Sequence, residues 1–499
     1  MPHSDLLPHA LYRAEQVREL DRCAIEDHGI PGAQLMERAG EAAYRLLRQR
    51  WPQAAEVTVL CGGGNNGGDG YVIARLARED GLSVRVLQLV EAERLRGDAA
   101  RMACSYRDGG GAAEPFRGLP ARPGVIVDAL LGTGLEREVT GEWARAVAAV
   151  NESRAPVLAV DIASGLHADT GRVLGCAVYA DATISFIGLK QGMFTGQGPD
   201  CCGEVRFDAL EVPASVYASQ ILAARRIDWG QQSRLLGPRR RSAHKGDFGH
   251  VLVIGGAPGF SGAARLAGEG ALRAGAGLVT VATHPDHARH LNIGRPELMC
   301  RGVAAPPELE PLIGRASVIA VGPGLGRDVW GAALLEAALA SGLPLVVDAD
   351  GLNLLAPDVG PRDDWVLTPH PGEAARLLGI ANAEVQADRF ASLRRLQGRF
   401  GGTTVLKGAG TLIYGASQKP PAVCDGGNPG MASGGTGDVL TGVIAALIAQ
   451  GLTPEDAACA GVCLHAAAAD AAAADGERGM LAGDLVSRIR FTLNAAERH

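Results

Sequence analysis

Two glycine-rich segments carry most of the side chains capable of chemistry in this 499-residue chain. The first, GGGNNGGDG (62–70), follows the apolar run VTVLC (57–61). Gly62, Gly64 and Gly67 fit the G-x-G-x-x-G dinucleotide fingerprint, and Glu91 ends the next apolar run, about where a ribose-binding acid would stand. An ordinary NAD-dependent dehydrogenase is therefore a rival reading. Against it, Asn65, Asn66 and Asp69 crowd a turn that would otherwise offer bare N–H groups to a pyrophosphate. A carboxylate there competes with an anion, whereas amide oxygens suit a cation, sugar hydroxyls or a reacting centre. VIVDALLGTG brings Asp128 and the turn Gly132-Thr133-Gly134, and LAVDIASG brings Asp161 and Ser164. In a parallel sheet such carboxyl ends gather at one edge, so Asn66, Asp128, Asp161 and Ser164 are expected to converge. In the second segment, NPGMASGGTGD (428–438), Gly434, Gly435 and Gly437 precede an apolar helix with Asp438 in its first turn. Backbone N–H groups and the helix dipole there make an anion hole, and an Asp beside it is placed to deprotonate a hydroxyl facing a phosphate. No GxxxxGK[ST] P-loop is present.

The elements that must position these groups read as alternating strands and helices. Residues 14–50 predict helix, and apolar runs at 57–61, 84–90, 124–130, 156–162 and 182–186 predict buried parallel strands. The rhythm lapses over the polar, basic stretch 211–245, read as a linker or surface segment, and restarts at His250. Further runs follow at 277–283, 316–322, 343–350, 365–369 and 403–408. The expected fold is α/β: a doubly wound sheet in a domain 1–225, then a second α/β domain, 226–499.

Composition narrows the function. The net charge is −7 and aromatics are 4%, which argues against a general nucleic-acid binder. Ten scattered cysteines, none in a Cys-x-x-Cys pair, suit reduced thiols. The N-terminus lacks a secretory pattern, and no run approaches about 18 uninterrupted apolar residues. A cytoplasmic enzyme without a membrane span is expected. Arg239–Arg241 reads as a solvated linker face. His284, His287 and His290 invite a zinc reading, but neighbouring Pro285, Asp286 and Arg289 favour a solvated helix start.

Residues 10–215 resemble the NAD(P)H-hydrate epimerase domain, through GGGNNGGDG, DALLGTGL, DIASG and DATISFIGLKQGMFTGQG (181–198). The resemblance implies a Rossmann-like fold and a potassium ion held by Asn66, Asp128 and Ser164. It also implies hydrated-nucleotide contacts from Asn65, Asn66, Gly67, Gly68 and Asp69, from Gly132, Thr133, Gly134, Leu135, Glu136, Arg137 and Glu138, and from Asp161, the favoured acid/base. Ala163 departs from the proline common in that family. Lys190 is read either as steadying an anion or as a snorkelling lysine.

The second half resembles ribokinase-like proteins, and within them the ADP-dependent NAD(P)H-hydrate dehydratase. SAHKGDFGHVLVIGG (242–256), GFSGAARLAGEGALRAGAGLVTVAT (259–283), GPGLG (322–326), DADGLN (348–353), TPHPGE (368–373), LKGAGT (406–411) and the GGTGD loop carry it. By that resemblance Ala263, Gly324, His370 and Asp438 contact the hydrated cofactor. Lys407, Gly408, Ala409, Gly410, Thr411 and Gly437 hold ADP, with magnesium as counter-ion. The two resemblances together imply a repair enzyme acting on small molecules, hydrated NADH or NADPH and ADP, and forming a homo-oligomer. Asp161 and Asp438 are its expected catalytic residues. A vitamin or sugar kinase, or a first domain that only binds partners, are the alternatives.

Overall fold

The short apolar runs become buried strands because they are apolar on both faces, as a parallel sheet covered by helices requires. The computed structural model describes residues 7–355, 359–417 and 419–495. The chain divides into two units, Met1–Arg225 and Arg226–His499.

In the first unit, strands β1 (Glu56–Cys61), β2 (Ser83–Gln88), β3 (Ala113–Pro115), β4 (Val125–Ala129), β5 (Val157–Val160), β6 (Ala182–Phe186) and β7 (Glu204–Asp208) form one parallel sheet in the order β3-β2-β1-β4-β5-β6-β7. The order reverses between β1 and β4, the switch point at which a Rossmann-like sheet opens a crevice. The helical stretch expected over 14–50 is two helices, α1 (Ala14–Arg22) and α2 (Gly32–Arg50). Between them a π-helical turn spans Cys23–Asp27, Gly29 takes a left-handed φ of +66°, and Pro31 caps α2. Proline removes the N–H that a continuous helix would need. A short strand, Ala10–Tyr12, ties the start of α1 to Leu189–Lys190 (Leu11 beside Leu189, Tyr12 beside Lys190).

In the second unit, β8 (His250–Ile254), β9 (Leu278–Thr283), β10 (Met299–Gly302), β11 (Val318–Val321), β12 (Leu345–Val347), β13 (Trp365–Leu367), β14 (Thr403–Leu406), β15 (Thr411–Tyr414) and β16 (Ala422–Cys424) lie side by side as β10-β9-β8-β11-β12-β13-β14-β15-β16. Pairing is parallel up to β14 and antiparallel beyond it. The core includes the apolar helices at 436–449 and 454–472, together with the helix at 261–273. Close crossing of the first and last of these needs small residues: a Cβ on Gly442 would lie 1.8 Å from the Ala267 carbonyl oxygen. Pro454–Asp475 is long and apolar enough to cross a membrane by length and composition, yet 72% of its apolar window is buried inside the unit. It serves as a core helix, interrupted by His465 and Asp470.

The expected linker at 211–245 is only partly one. Residues Ala224–Ile227 form a strand, and Arg226 is buried with its guanidinium 3.0 Å from the Asp425 carboxylate. A basic residue there reads as surface from composition alone, but its partner is distant in sequence. Arg239 likewise does more than face solvent: it stacks on Phe248 and donates to the Gly275 carbonyl.

Candidate active sites of the two units

In the first unit β1 ends at a turn of only three residues, Gly62–Gly64, and helix α3 (Asn65–Glu79) starts at once. Asn65 to Asp69 therefore occupy the helix's first turns rather than a loop. The turn must be glycine because it presses on the end of β4: a Cβ on Gly62 would sit 1.9 Å from the Leu130 carbonyl oxygen. A cavity of about 790 Å³ opens here. Asn65, Asn66, Asp69, Asp161 and residues 132–137 line it, whereas Gly67, Gly68, Asp128, Glu138 and Ser164 do not. Gly68 instead packs beneath the site against Met36. Glu91, the acid of the dehydrogenase rival, is exposed and pairs with Arg94 outside this cavity.

Below the cavity, Asp128 is fully buried and accepts hydrogen bonds from the Ser164 hydroxyl (2.6 Å), the Ser164 N–H (2.9 Å) and the Leu130 N–H (3.3 Å). Burial pushes its carboxyl up to about 6, against those hydrogen bonds. Asn66 is buried beside Gly132, and neither its Oδ1 nor its Nδ2 has a hydrogen-bond partner. An amide oxygen without a donor, and at the end of the adjoining strand a buried carboxylate with no cationic partner among the described residues, are the donor chemistry of a hard monovalent cation. The residues expected to hold potassium fit it in this respect.

Asp161 follows β5 in a left-handed backbone conformation, φ +66°, which a non-glycine residue adopts at a cost of about 1–3 kcal/mol. Its side chain accepts from the Phe186 N–H (3.3 Å) and from the Lys190 ammonium. Lys190 is fully buried and donates also to the Ser185 hydroxyl (2.9 Å). It is not a snorkelling lysine; it is the fixed counter-charge of Asp161. Asp69 and Asp21 complete the group. Burial raises the Asp69 carboxyl well above its ordinary range, and Asp161 and Asp21 add to the effect.

In the second unit the glycine loop and the Asp lie as the sequence suggests. Gly435, with φ +96°, caps the helix Thr436–Ala449, so Gly437 and Asp438 fall in its first turn. Asp438 is mostly buried and accepts no hydrogen bond from a described residue. Burial, then Asp348, push its carboxyl up to about 7, while Lys407 opposes them. Lys407 follows β14, and its ammonium lies 2.6 Å from Asp348 and 4.0 Å from Glu373. Burial alone would lower Lys407; Asp348 and Glu373 outweigh it and raise it. Asp348 is buried and also accepts from the Thr441 hydroxyl (2.8 Å). A Cβ on Gly437 would lie 3.3 Å from the Lys407 ammonium, so this charge sits beside the glycine hole.

His370 is exposed and caps the helix Pro371–Leu378, with Nδ1 accepting from the Gly372 N–H (3.0 Å). Partial desolvation of its ring, then Lys407, lower its pKa. Ala263 and Gly324 are neighbours: a Cβ on Gly324 would lie 3.2 Å from the Ala263 Cβ. Lys407–Gly410 form the β14–β15 hairpin loop, with the Thr411 hydroxyl closing onto the Gly408 carbonyl (3.0 Å). Arg389, buried and lowered to about 10 by that burial, donates to the Leu406 and Lys407 carbonyls (3.2 Å each). The Lys407 side chain itself turns away from this loop into the acidic group of Asp348 and Glu373. Among the described residues no group of three or more His, Cys, Asp or Glu could hold a metal ion, and His284 stacks edge-on against Trp330.

Sequence reasoning missed Asp21, Arg389 and the roles of Asp348 and Glu373. Asp348 and Glu373 stood inside the quoted DADGLN and TPHPGE motifs; Arg389 left no local signal.

A crevice at a Rossmann-like switch point, and a glycine hole with a carboxylate in a ribokinase-like fold, define a two-part α/β enzyme that handles nucleotides. A family described as YjeF-related protein N-terminus matches residues 32–192, and one described as NAD(P)H-hydrate dehydratase matches 251–490. The chain is 50% identical to the bifunctional NAD(P)H-hydrate repair enzyme of Coxiella burnetii, over 97% of this chain and 99% of that protein. To the Escherichia coli enzyme of the same description it is 45% identical, over 98% and 95%. A ribokinase-like superfamily structure from Enterococcus faecalis, 30% identical, superposes with a TM-score of 0.51 over 56% of this chain and 98% of that one. The chain belongs to the bifunctional NAD(P)H-hydrate repair enzyme family.

Proposed function

We infer that this protein repairs hydrated NADH and NADPH. The unit 1–225 interconverts the R and S epimers, and the unit 226–499 dehydrates the S form at the expense of ADP, releasing AMP and phosphate. The observation that carries the reading is Asp438: a mostly buried carboxyl, accepting no hydrogen bond from a described residue, in the first turn of the helix behind Gly434–Gly437. Its raised proton affinity suits a base working near neutral pH.

In the second unit Asp438 takes the proton of the substrate hydroxyl as its oxygen attacks the β-phosphorus of ADP. AMP leaves, the C–O bond to the new phosphate breaks, and loss of the neighbouring ring proton restores the reduced nicotinamide. The N–H groups at Gly435–Gly437 and the Lys407 ammonium favour the charge that builds on the phosphoryl oxygens. Ala263, Gly324 and His370 contact the hydrated ring, and the 407–411 loop, held by Arg389, carries the nucleotide. Among the described residues there is no carboxylate cage for magnesium, which when bound with ADP would supply positive charge beside the phosphates.

In the first unit the cavity lining binds the hydrated nucleotide and Asp161 moves the proton at the hydroxyl oxygen, oriented by Lys190. Asn66, Asp128 and Ser164 would hold potassium, which when bound supplies fixed positive charge at the cavity floor. None of the described cysteines forms a disulfide, which supports a reducing compartment such as the cytoplasm.

The test incubates the full chain with mixed epimers, with and without ADP. Recovery of reduced nicotinamide from both epimers, with phosphate and AMP in equal amount, supports the reading. A lasting phosphorylated alcohol would make the second unit a kinase of the same fold instead.

A further inference from the structure

An epimerase that works by losing and regaining a hydroxyl passes through a planar iminium. Water must be able to return to either face of it, and a carboxyl group serves only the face it borders. Asp161 lies at the cavity floor, at the end of β5, held by Lys190. Asp21 lines the same cavity from another element, α1, where the i, i+4 spacing puts it beside Val17 on the cavity-facing side.

Helix α1 is fixed in place rather than draped there. The strand before it pairs with Leu189–Lys190, and a Cβ on Gly188 would meet Tyr12, Val17 and Leu20 at 2.9–3.4 Å. Asp21 is half-buried and accepts no hydrogen bond from a described residue. Burial, reinforced by Asp161, raises its carboxyl to about 7, with Lys190 opposing. Asp69 also lines the cavity but is nearly sealed, at 8% exposure.

We propose that Asp21 is a second catalytic proton carrier of the epimerase unit, serving the face of the hydrated ring that Asp161 does not reach. This rests on the epimerase reading above. On departure, the C–O bond electrons go to oxygen, which takes a proton from one carboxylic acid and leaves as water, while the ring nitrogen lone pair closes the iminium. On return, water adds at the same carbon from the opposite face and gives its proton to the other carboxylate. Atoms and charge balance without an oxidant or reductant.

The test uses the full-length protein, pure R hydrate and chromatographic separation of the epimers, in water labelled with heavy oxygen. Asp21→Asn should slow inversion by about 10²-fold or more, with KM within threefold, and should remove one limb of the pH profile. Label should still enter the starting epimer through Asp161. Asp21→Glu should recover at least a tenth of the inversion rate, which a role in folding alone would not explain. Inversion within threefold of wild type in Asp21→Asn, or a folded Asp21→Glu as slow as Asp21→Asn, overturns the assignment of Asp21. Wild-type protein that fails to interconvert the epimers at all overturns the epimerase reading itself, a separate result.

Discussion

Both units place a lysine beside the carboxylate chemistry, but they bind it to different partners. In the first unit Lys190 is bonded directly to Asp161, the proposed acid/base, whose backbone is also held in the left-handed region. In the second, Lys407 is bonded to Asp348, and Asp438 feels it only through space. The first arrangement fixes the reacting group's position. The second leaves the reacting group mobile in its protonation and fixes the field around it. An epimerase that must return a hydroxyl to one carbon gains from a fixed oxygen. A base that must surrender and regain a proton beside a phosphate gains from a tunable one.

The largest effect that would break this comparison is at Asp438. Asp438→Asn should lower turnover of the S hydrate with ADP by about 10³-fold, as expected for losing a base. Epimerisation should stay within twofold of wild type, read by absorbance and by chromatography respectively. A loss of only tenfold would mean that Asp438 caps the helix and another group takes the proton.

Next in size is stability. Lys190→Met removes the buried counter-charge of Asp161, which still borders the cavity and keeps the Phe186 N–H, and should destabilise the protein by about 2 kcal/mol, measured by urea denaturation. Lys407→Met should cost more, because Asp348 is sealed at 2% exposure and Glu373 loses the same counter-charge. Equal losses would erase the distinction between the two lysines.

Asp161→Asn follows, with about 10²-fold slower epimerisation and unchanged dehydration of pure S hydrate.

How far these sites were legible depends on how local their causes are. GGGNNGGDG and GGTGD announce themselves because a short strand-to-helix turn needs glycine where backbones touch, as at Gly62. Parallel strands were legible from continuous apolar runs. What stayed hidden was pairing across long sequence distances: Arg226 with Asp425, Asp161 with Lys190, Arg389 with the 406–407 carbonyls. Asp21 was hidden differently. On a helix read as amphipathic, one Asp beside Val17 and Leu20 looks like the edge of the solvent face until the cavity shows what that edge borders.

The pH dependence sharpens the comparison further. Asp438 must be ionised to act, so kcat/KM for dehydration should rise about tenfold per unit below pH 7 and level above it. Lys407→Met removes a charge that lowers Asp438, so the limb should move to higher pH. Stability runs the other way. A carboxyl raised in the folded state holds its proton there longer than in the unfolded chain, so its contribution is present at low pH and is lost as pH rises toward 7. Asp438→Asn should therefore flatten the fall in Tm between about pH 4 and 7.

The smallest expected effect concerns the cradle under the first cavity, which has no counterpart among the described residues of the second unit. If Asn66 and Asp128 hold potassium, the ion binds the folded state alone. At ten times its Kd it stabilises that state by about 1.4 kcal/mol, or roughly 3–5 °C in Tm for a unit of this size. Calorimetry of the full-length protein in potassium and lithium chloride at equal ionic strength should show that difference, and Asn66→Ala should abolish it. Equal melting of wild type in both salts would mean that the orphaned amide serves the nucleotide rather than a cation, and the electrostatic contrast between the two units would then rest on their lysines alone.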